Sequence, residues 1–391
     1  MSDSDSDSSS NTPDQNNRKR LPVNPSAENL RKQAKRLARI EPSLSLQQAQ
    51  HKLAVQYGQK NWDELMHVVE TMGRGAGQTT NVKNAFEPLP ADANRSDLEA
   101  VRAILSEGAF TQHDLDLALA RAVLNFTQRA QIAELLIEHG ADPDGQYGSD
   151  YGPIVFVTGE CLDPDGLQFL IDHGADVSFA PIPTKYGPAT PMGHTLGSYV
   201  RNRNDRKRRC IDILLEHRAV VPAETIPAML AIHRGDAMEL ADLIDRDPSL
   251  VLQNFPAMPY GNIALAGATL LHMAVDFCQI ECVDVLIDCG ADINARAQII
   301  DGIGGQTPVF HAIATNLRAA WPMLQHLVLR YGRAIDCSVA ATFRLYGEPQ
   351  AELVTPLQYA ERGLADDAPE WRRSTAEEVE LIRSVARASS P

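Results

Sequence analysis

Between residues 268 and 295 the chain reads ATLLHMAVDFCQIECVDVLIDCGADINA, and its apolar positions recur at helical spacing in two short runs. Leu271 and Ala274 fall on one side of the first run. In the second, Ile280, Val283, Leu286 and Ile287 recur three and four residues apart and make one apolar stripe. Thr269 stands before the first run, where its hydroxyl can accept from a backbone N–H that the first helical turn leaves unpaired. Gly290 closes the second run by supplying the left-handed conformation that ends a helix cheaply. The pattern predicts a helix, a tight turn, a second helix and a stop. Such a unit is too short to bury its own stripe and needs copies on either side.

The copies are present. LIEHGAD ends at Asp142, LIDHGAD at Asp176, LLEHRAV at Val220 and LIDCGAD at Asp292. Measured between Gly140, Gly174, Arg218 and Gly290, the steps are 34, 44 and 72 residues: one repeat, one repeat with an insertion, and two repeats with a few extra residues. Thr190-Pro191, Thr307-Pro308 and Thr355-Pro356 each put a capping hydroxyl before a proline at the first helical position. A repeat's second helix and its terminator are predicted at 97–109, and paired helices at 114–124 with 130–139, 153–161 with 165–173, 191–199 with 207–217, 225–234 with 238–245, 308–315 with 321–331, and 356–362 with 376–386. Asp247-Pro248 ends the pair at 225–245, because proline disfavours helix in the residue before it. Loops are expected at 200–206, 252–267, 296–306 and 337–354.

The front of the chain is different. Residues 1–26, rich in Ser, Asp and Asn and then basic, cannot build a core and are expected to be disordered. Residues 29–40 place Leu30, Leu37 and Ile40 near one side and five basic residues largely on the other. Ser45 with Gln48 forms a capping box for a second helix, and Asn61 with Glu64 caps a third. Together these predict a three-helix unit over 27–70, a linker over 71–96 and a repeat array over 97–387.

With these residues in view, the segment from Thr269 to Ala295 resembles an ankyrin repeat, through Leu271-His272, Gly290-Ala291-Asp292 and Asn294, and Gln306-Thr307-Pro308 with His311 resembles the start of the next copy. Leu270, Cys278 and Arg218 depart from the usual proline and two glycines. The front unit resembles a short helical segment that precedes various domains in bacterial proteins, read at Ala49, Gln50, Leu53, Ala54, Tyr57, Gly58 and Trp62. The resemblance implies an all-α ankyrin-repeat solenoid of a bacterial type, with Thr269, His272, Gly290, Thr307 and His311 as structural repeat positions. The two histidines are expected to brace the turns between neighbouring units. It also implies a non-catalytic scaffold that binds another protein through loop tips and a concave face.

Charge refines this expectation. Residues 1–90 balance at +2 and residues 91–391 at −17, which together give the net −15. An acidic array repels phosphates, so nucleic acid is not expected on it, and a basic protein partner is the sharper reading. The alternative is a regulatory protein that contacts nucleic acid through the basic segment 18–40. Arg206-Lys207-Arg208-Arg209 is the only basic run of the acidic body. Lys and Arg at a helix start oppose the dipole, which singles out Arg206, Lys207 and Arg208 as a contact patch, with Tyr260 and Arg296 in the loops beside it. The six cysteines sit where the repeat accounts for them; Cys278, Cys282 and Cys289 with His272 do not form paired zinc knuckles. No phosphate-binding loop, nucleophile elbow or metalloprotease motif occurs, so neither a catalytic set nor a cofactor is expected. No run of 18 apolar residues and no signal-like opening occurs, so the reading is a cytoplasmic monomer.

Overall fold

In a computed structural model of the protein, the residues described are 21, 25, 27–75, 95–107, 111–124, 126–147, 151–185, 187–256, 258, 263, 265–313, 318–343, 351–365, 368 and 372–388. Most of the tail at 1–26, the centre of the linker and Tyr260 lie outside them. The chain forms two compact units, Met1–Ser149 with Phe169–Ala175, and Asp150–Gln168 with Asp176–Pro391.

The first unit opens with α1 (Ala27–Ile40), α2 (Leu46–Gln56) and α3 (Trp62–Gly75). The Ser45–Gln48 capping box starts α2 as the sequence predicts, and Asn61 accepts from the Glu64 N–H ahead of α3. Leu30, Ala34, Leu53, Ala54, Tyr57, Leu65 and Val69 make the shared core. Helices α4 (Arg95–Glu107), α5 (Gln112–Val123) and α6 (Phe126–Glu138) follow. The linker reading keeps the front unit apart from these helices, and here the arrangement differs. Arg36 of α1 is buried and pairs with Asp142 and, at 3.1 Å, with Asp144, both just beyond α6. Arg39 donates to the Gly174 carbonyl, and a Cβ at Gly140 would meet the Tyr57 hydroxyl at 2.7 Å. The basic face of α1 is therefore not wholly solvated: two of its cations are spent on backbone and carboxylates of the same unit.

The second unit contains α7 (Ile154–Glu160), the start of α8 (Pro164–Asp172), α9 (Pro191–Leu196), α10 (Asn204–Glu216), α11 (Pro227–Arg234), α12 (Ala237–Arg246), α13 (Leu270–Asp276), α14 (Ile280–Asp288), α15 (Trp321–Tyr331), α16 (Pro356–Arg362) and α17 (Ala376–Ala388). The run expected as a helix at 308–315 is a 3-10 turn, Pro308–Ala312. Helices pair in sequence and stack on the next pair. Helix α13 packs against α11 on one side and the 3-10 turn on the other, while α14 packs against α12. Buried Leu271, Ala274, Cys282, Val283 and Leu286 supply the shared core at this point.

Local geometry repeats with the sequence. The turns at Leu162, Gly235 and Cys278 adopt φ of 53°, 64° and 56°, and Asp163, Asp236 and Gln279 each donate to the carbonyl five residues earlier at 2.9 Å. Helix stops at Gly140, Gly174, Arg218 and Gly290 also have positive φ, and the following alanine closes the same kind of bond to Leu136, Leu170, Leu214 and Leu286. Leu162, Arg218 and Cys278 therefore occupy left-handed positions at a cost of about 1 kcal/mol each. The surrounding turn bonds impose the conformation whichever side chain stands there.

Two short antiparallel hairpins interrupt the helices: β1 (Ile182–Thr184) with β2 (Gly187–Ala189), and β3 (Ala341–Phe343) with β4 (Glu352–Val354). The second lies in the loop expected at 337–354, and the first lies between the helices expected at 165–173 and 191–199. Three-residue strands carry too little alternation to register in sequence, and they form because the flanking repeats hold their ends together.

Candidate functional site

The loops of the second unit are built outward from α13. Thr269 N–H donates to His272 Nδ1 at 3.2 Å, with the threonine hydroxyl 2.9 Å from the same nitrogen. Nδ1 therefore accepts, and Nε2 carries the proton that it donates to the Gln306 carbonyl at 2.9 Å. Burial pushes the His272 imidazole down to about 3, so it stays neutral and keeps this tautomer. The brace expected of His272 thus joins the start of one repeat to the loop that leads into the next.

Asp276, at the end of α13, is fully buried and ties three segments together. Its Oδ1 accepts from Arg201 Nε at 3.2 Å and Nη2 at 3.0 Å; its Oδ2 accepts from the Ile263 N–H at 3.3 Å and lies 2.9 Å from His311 Nδ1. His311 thus braces through a carboxylate rather than through a backbone turn. Neither Arg201 nor Asp276 stands out in sequence, because they are 75 residues apart and no local pattern joins them.

Beyond this anchor the loops knit into a layer. Phe255 bridges Ala268, Gln298 N–H donates to the Gly267 carbonyl at 2.8 Å, and Ala297 N–H donates to Gln306 at 2.9 Å. Ile300 bridges Ile303, and Gly304 bridges Thr342 of β3. Asn254 donates to the Gly267 carbonyl at 2.7 Å and to the Arg296 carbonyl at 3.2 Å. Arg296 is exposed, yet its guanidinium donates to the carbonyls of Gly305 at 3.2 Å and Ala340 at 3.0 Å, so it fastens two loops as well as facing solvent. On this fixed backbone Leu252, Ile299 and Leu353 remain 69 %, 62 % and 68 % exposed.

The basic run divides. Lys207 is 1 % exposed, donates to the Leu196 carbonyl at 2.9 Å and lies 3.9 Å from the Phe277 ring centroid, opposed to its place in a contact patch. Its amine is held well below the ordinary lysine value by burial and, next, by Arg201. Lys207, the fourth residue of α10, faces inward because α10 turns that position onto the neighbouring repeat. Arg206 pairs with Asp163 at 3.1 Å, and Arg208 lies near Asp212 and Asp236. The expected loop 200–206 also turns inward: Arg201 lies under it, and Asn204 donates to the Cys278 carbonyl at 3.0 Å. Gly235 permits this approach, since a Cβ there would meet Gln279 Oε1 at 2.7 Å.

The cysteines follow packing. Cys282 is buried on α14, Cys278 holds the turn and Cys289 is exposed. Burial pushes the thiols of Cys278 and Cys282 up to about 12, the opposite of a reactive or metal-binding thiolate. Among the described residues no helix is long and apolar enough to cross a membrane.

Paired helices with braced turns and loop tips define the class: an all-α ankyrin-repeat fold. Within it, residues 266–298 match the Ankyrin repeat family. Among solved structures, the human ASB11 ankyrin repeat domain is similar at 19 % identity and a TM-score of 0.32, over 70 % of this chain and 98 % of that one. The ankyrin repeat domain of Bcl-3, described as a unique member of the IkappaB protein family, is similar at 16 % identity and a TM-score of 0.26, over 68 % and 97 %. No curated protein matches the chain.

Proposed function

We propose that the protein is a non-catalytic binding module whose second unit grips a protein partner with its loop layer. The observation that carries this reading is the set of exposed apolar side chains, Leu252, Ile299 and Leu353, on a backbone fixed by cross-loop hydrogen bonds. Apolar anchors on a rigid support bind at low entropic cost, because little is ordered on association. Arg296 and the exposed Arg208 of α10 supply polar contacts in this reading. The acidic balance of residues 91–391, −17, favours a partner with a basic surface.

The nucleic-acid alternative through 18–40 has no observation in its favour. Of its basic residues, Arg36 and Arg39 are engaged with Asp142, Asp144 and the Gly174 carbonyl, while Arg31, Lys32 and Lys35 are exposed.

The test compares tagged full-length chain with Ile299→Asp/Leu353→Asp and with Leu329→Asp, the last altering an 81 % exposed leucine on α15 outside the loop layer. A partner recovered with the unaltered chain should be lost with the loop variant and kept with Leu329→Asp. Retention by the loop variant, or equal loss from both, would refute the assignment of the loop layer.

A further inference from the structure

The loop layer of the second unit ends in an open strand. Its hydrogen bonds run from Phe255 and Ala268 through Gly267 to Gln298, turn back between Ile300 and Ile303, and cross from Gly304 to β3. β4 comes last, and among the described residues it pairs with β3 alone.

The bonding of β3 fixes which groups that last strand turns outward. Thr342 spends both backbone groups on Gly304: its carbonyl accepts from the Gly304 N–H at 3.0 Å and its N–H donates to the Gly304 carbonyl at 2.9 Å. Successive residues of a strand point their backbone groups to opposite sides, so Ala341 and Phe343 bond β4, at Val354 and Glu352. Leu353, opposite Thr342, therefore turns its N–H and C=O away from the sheet. Ala351, two residues earlier and exposed, continues the same edge by alternation. The edge stops at Thr355, whose N–H donates to Gln358 Oε1 at 2.9 Å and whose carbonyl accepts from the Tyr359 N–H at 2.8 Å.

Proteins often blunt such edges with lysine or proline; residues 351–354 read Ala-Glu-Leu-Val and carry neither. Leu353 is 68 % exposed on the outer face. The one charge, Glu352, lies on the other face with buried Val354 and Phe343. Its carboxylate is shared with Arg362 at 2.6 Å and has lone pairs for a second base. That charge selects among the strands that could add here. A second copy would bring its own Glu352 and a net charge of −15 to the same edge, whereas a basic segment is drawn to it.

We infer that the outer edge of β4 takes up an extended segment of the protein partner as an added antiparallel strand. An apolar residue of that segment hydrogen-bonds to Leu353 and packs beside its side chain, and basic residues on either side lie on the face of Glu352. Antiparallel addition continues the sense of the bridges within the layer. Strand addition of this kind rests on the loop layer being the binding surface and gives the route by which the partner enters it.

Fluorescence anisotropy of the full chain with a labelled Lys-Val-Lys-Val-Lys-Val-Lys peptide is the test. In antiparallel pairing, the valine opposite Leu353 shares its face and turns its own N–H to β4. N-methylation of the valines should therefore weaken binding about tenfold or more, while N-methylation of the lysines should leave it within about twofold. Leu353→Pro, which removes the outward N–H where an edge strand tolerates proline, should weaken it as much as valine methylation does, and Leu353→Ala less. Exchange of the Leu353 amide should be fast in the free chain and slow with the peptide. No saturable binding, equal binding of the two methylated forms, or greater loss from the lysine form would overturn strand addition. So would a Leu353 amide protected in the free chain, since a segment of this chain would then cover the edge, or protected only at high protein concentration, since a second copy would. The loop layer still stands after any of these results if the recovered protein partner is lost with Ile299→Asp; a partner kept by that variant would refute the loop layer separately.

Discussion

Arg36→Met removes the one cation from a buried acidic cluster in the first unit. Arg36 and Asp142 have side chains only 8 % and 7 % exposed, and Asp144 shares the guanidinium at 3.1 Å. Asp116 lies on the same cluster, accepting from the Asp142 N–H at 2.8 Å and from Gln112 at 2.8 Å. Removing one partner of a buried pair costs about 3–5 kcal/mol, because the other charge is left buried without compensation. Methionine keeps much of the packing against Gly174, whose absent Cβ makes room for the Arg36 stem, so the loss reports charge rather than a cavity. Urea unfolding should show a fall in that range. Hydrogen exchange should show α1–α3 and α5–α6 losing protection together. Asp142→Asn placed on top of Arg36→Met should restore part of the loss, since the stranded charge is then gone. By the same logic, deleting 1–92 should cost as much as Arg36→Met, whereas a separate front unit on a linker would change little. A loss under about 1 kcal/mol, or no recovery in the double variant, would refute the reasoning.

Two further outcomes concern pH. Burial, partly offset by hydrogen bonds from Asp142 and Gln112, pushes the Asp116 carboxyl up to about 7. Its folded value exceeds the unfolded one, so its contribution to stability is full below about pH 4 and is lost as pH rises through 7, with a slope of at most about 1.4 kcal/mol per pH unit. Asp116→Asn should lack this loss, and its advantage over the unaltered chain in urea unfolding should grow from pH 4 to 7 and then level; an advantage independent of pH would count against it. Lys207 is the mirror case: its folded value lies below the unfolded one, so the unaltered chain gains stability as pH rises toward 10.5. Lys207→Met should lack this gain, so its stability relative to the unaltered chain in urea unfolding should fall from pH 7 to pH 10, and a constant difference would show that the amine does not change its charge cost.

Repeat length, helix pairing and caps were legible in the sequence because they depend on residues within a few positions of one another. The helices Trp321–Tyr331 and Pro356–Arg362 fall where periodicity and Thr-Pro capping place them, and Ser45 with Gln48 forms its box from a four-residue signal. His272 was legible in the same way, since its brace to Thr269 is local and its reach to Gln306 is one repeat long. The partners of charged groups were not. Arg36 meets Asp142 across 106 residues and Arg201 meets Asp276 across 75. A basic run looks the same in sequence whether its lysine faces water or, like Lys207, lies against Phe277. Periodicity records which side of a helix is apolar, but a long cationic side chain can be buried wherever a distant carbonyl, ring or carboxylate receives it. Only the stacking of one repeat on another brings those receivers into reach.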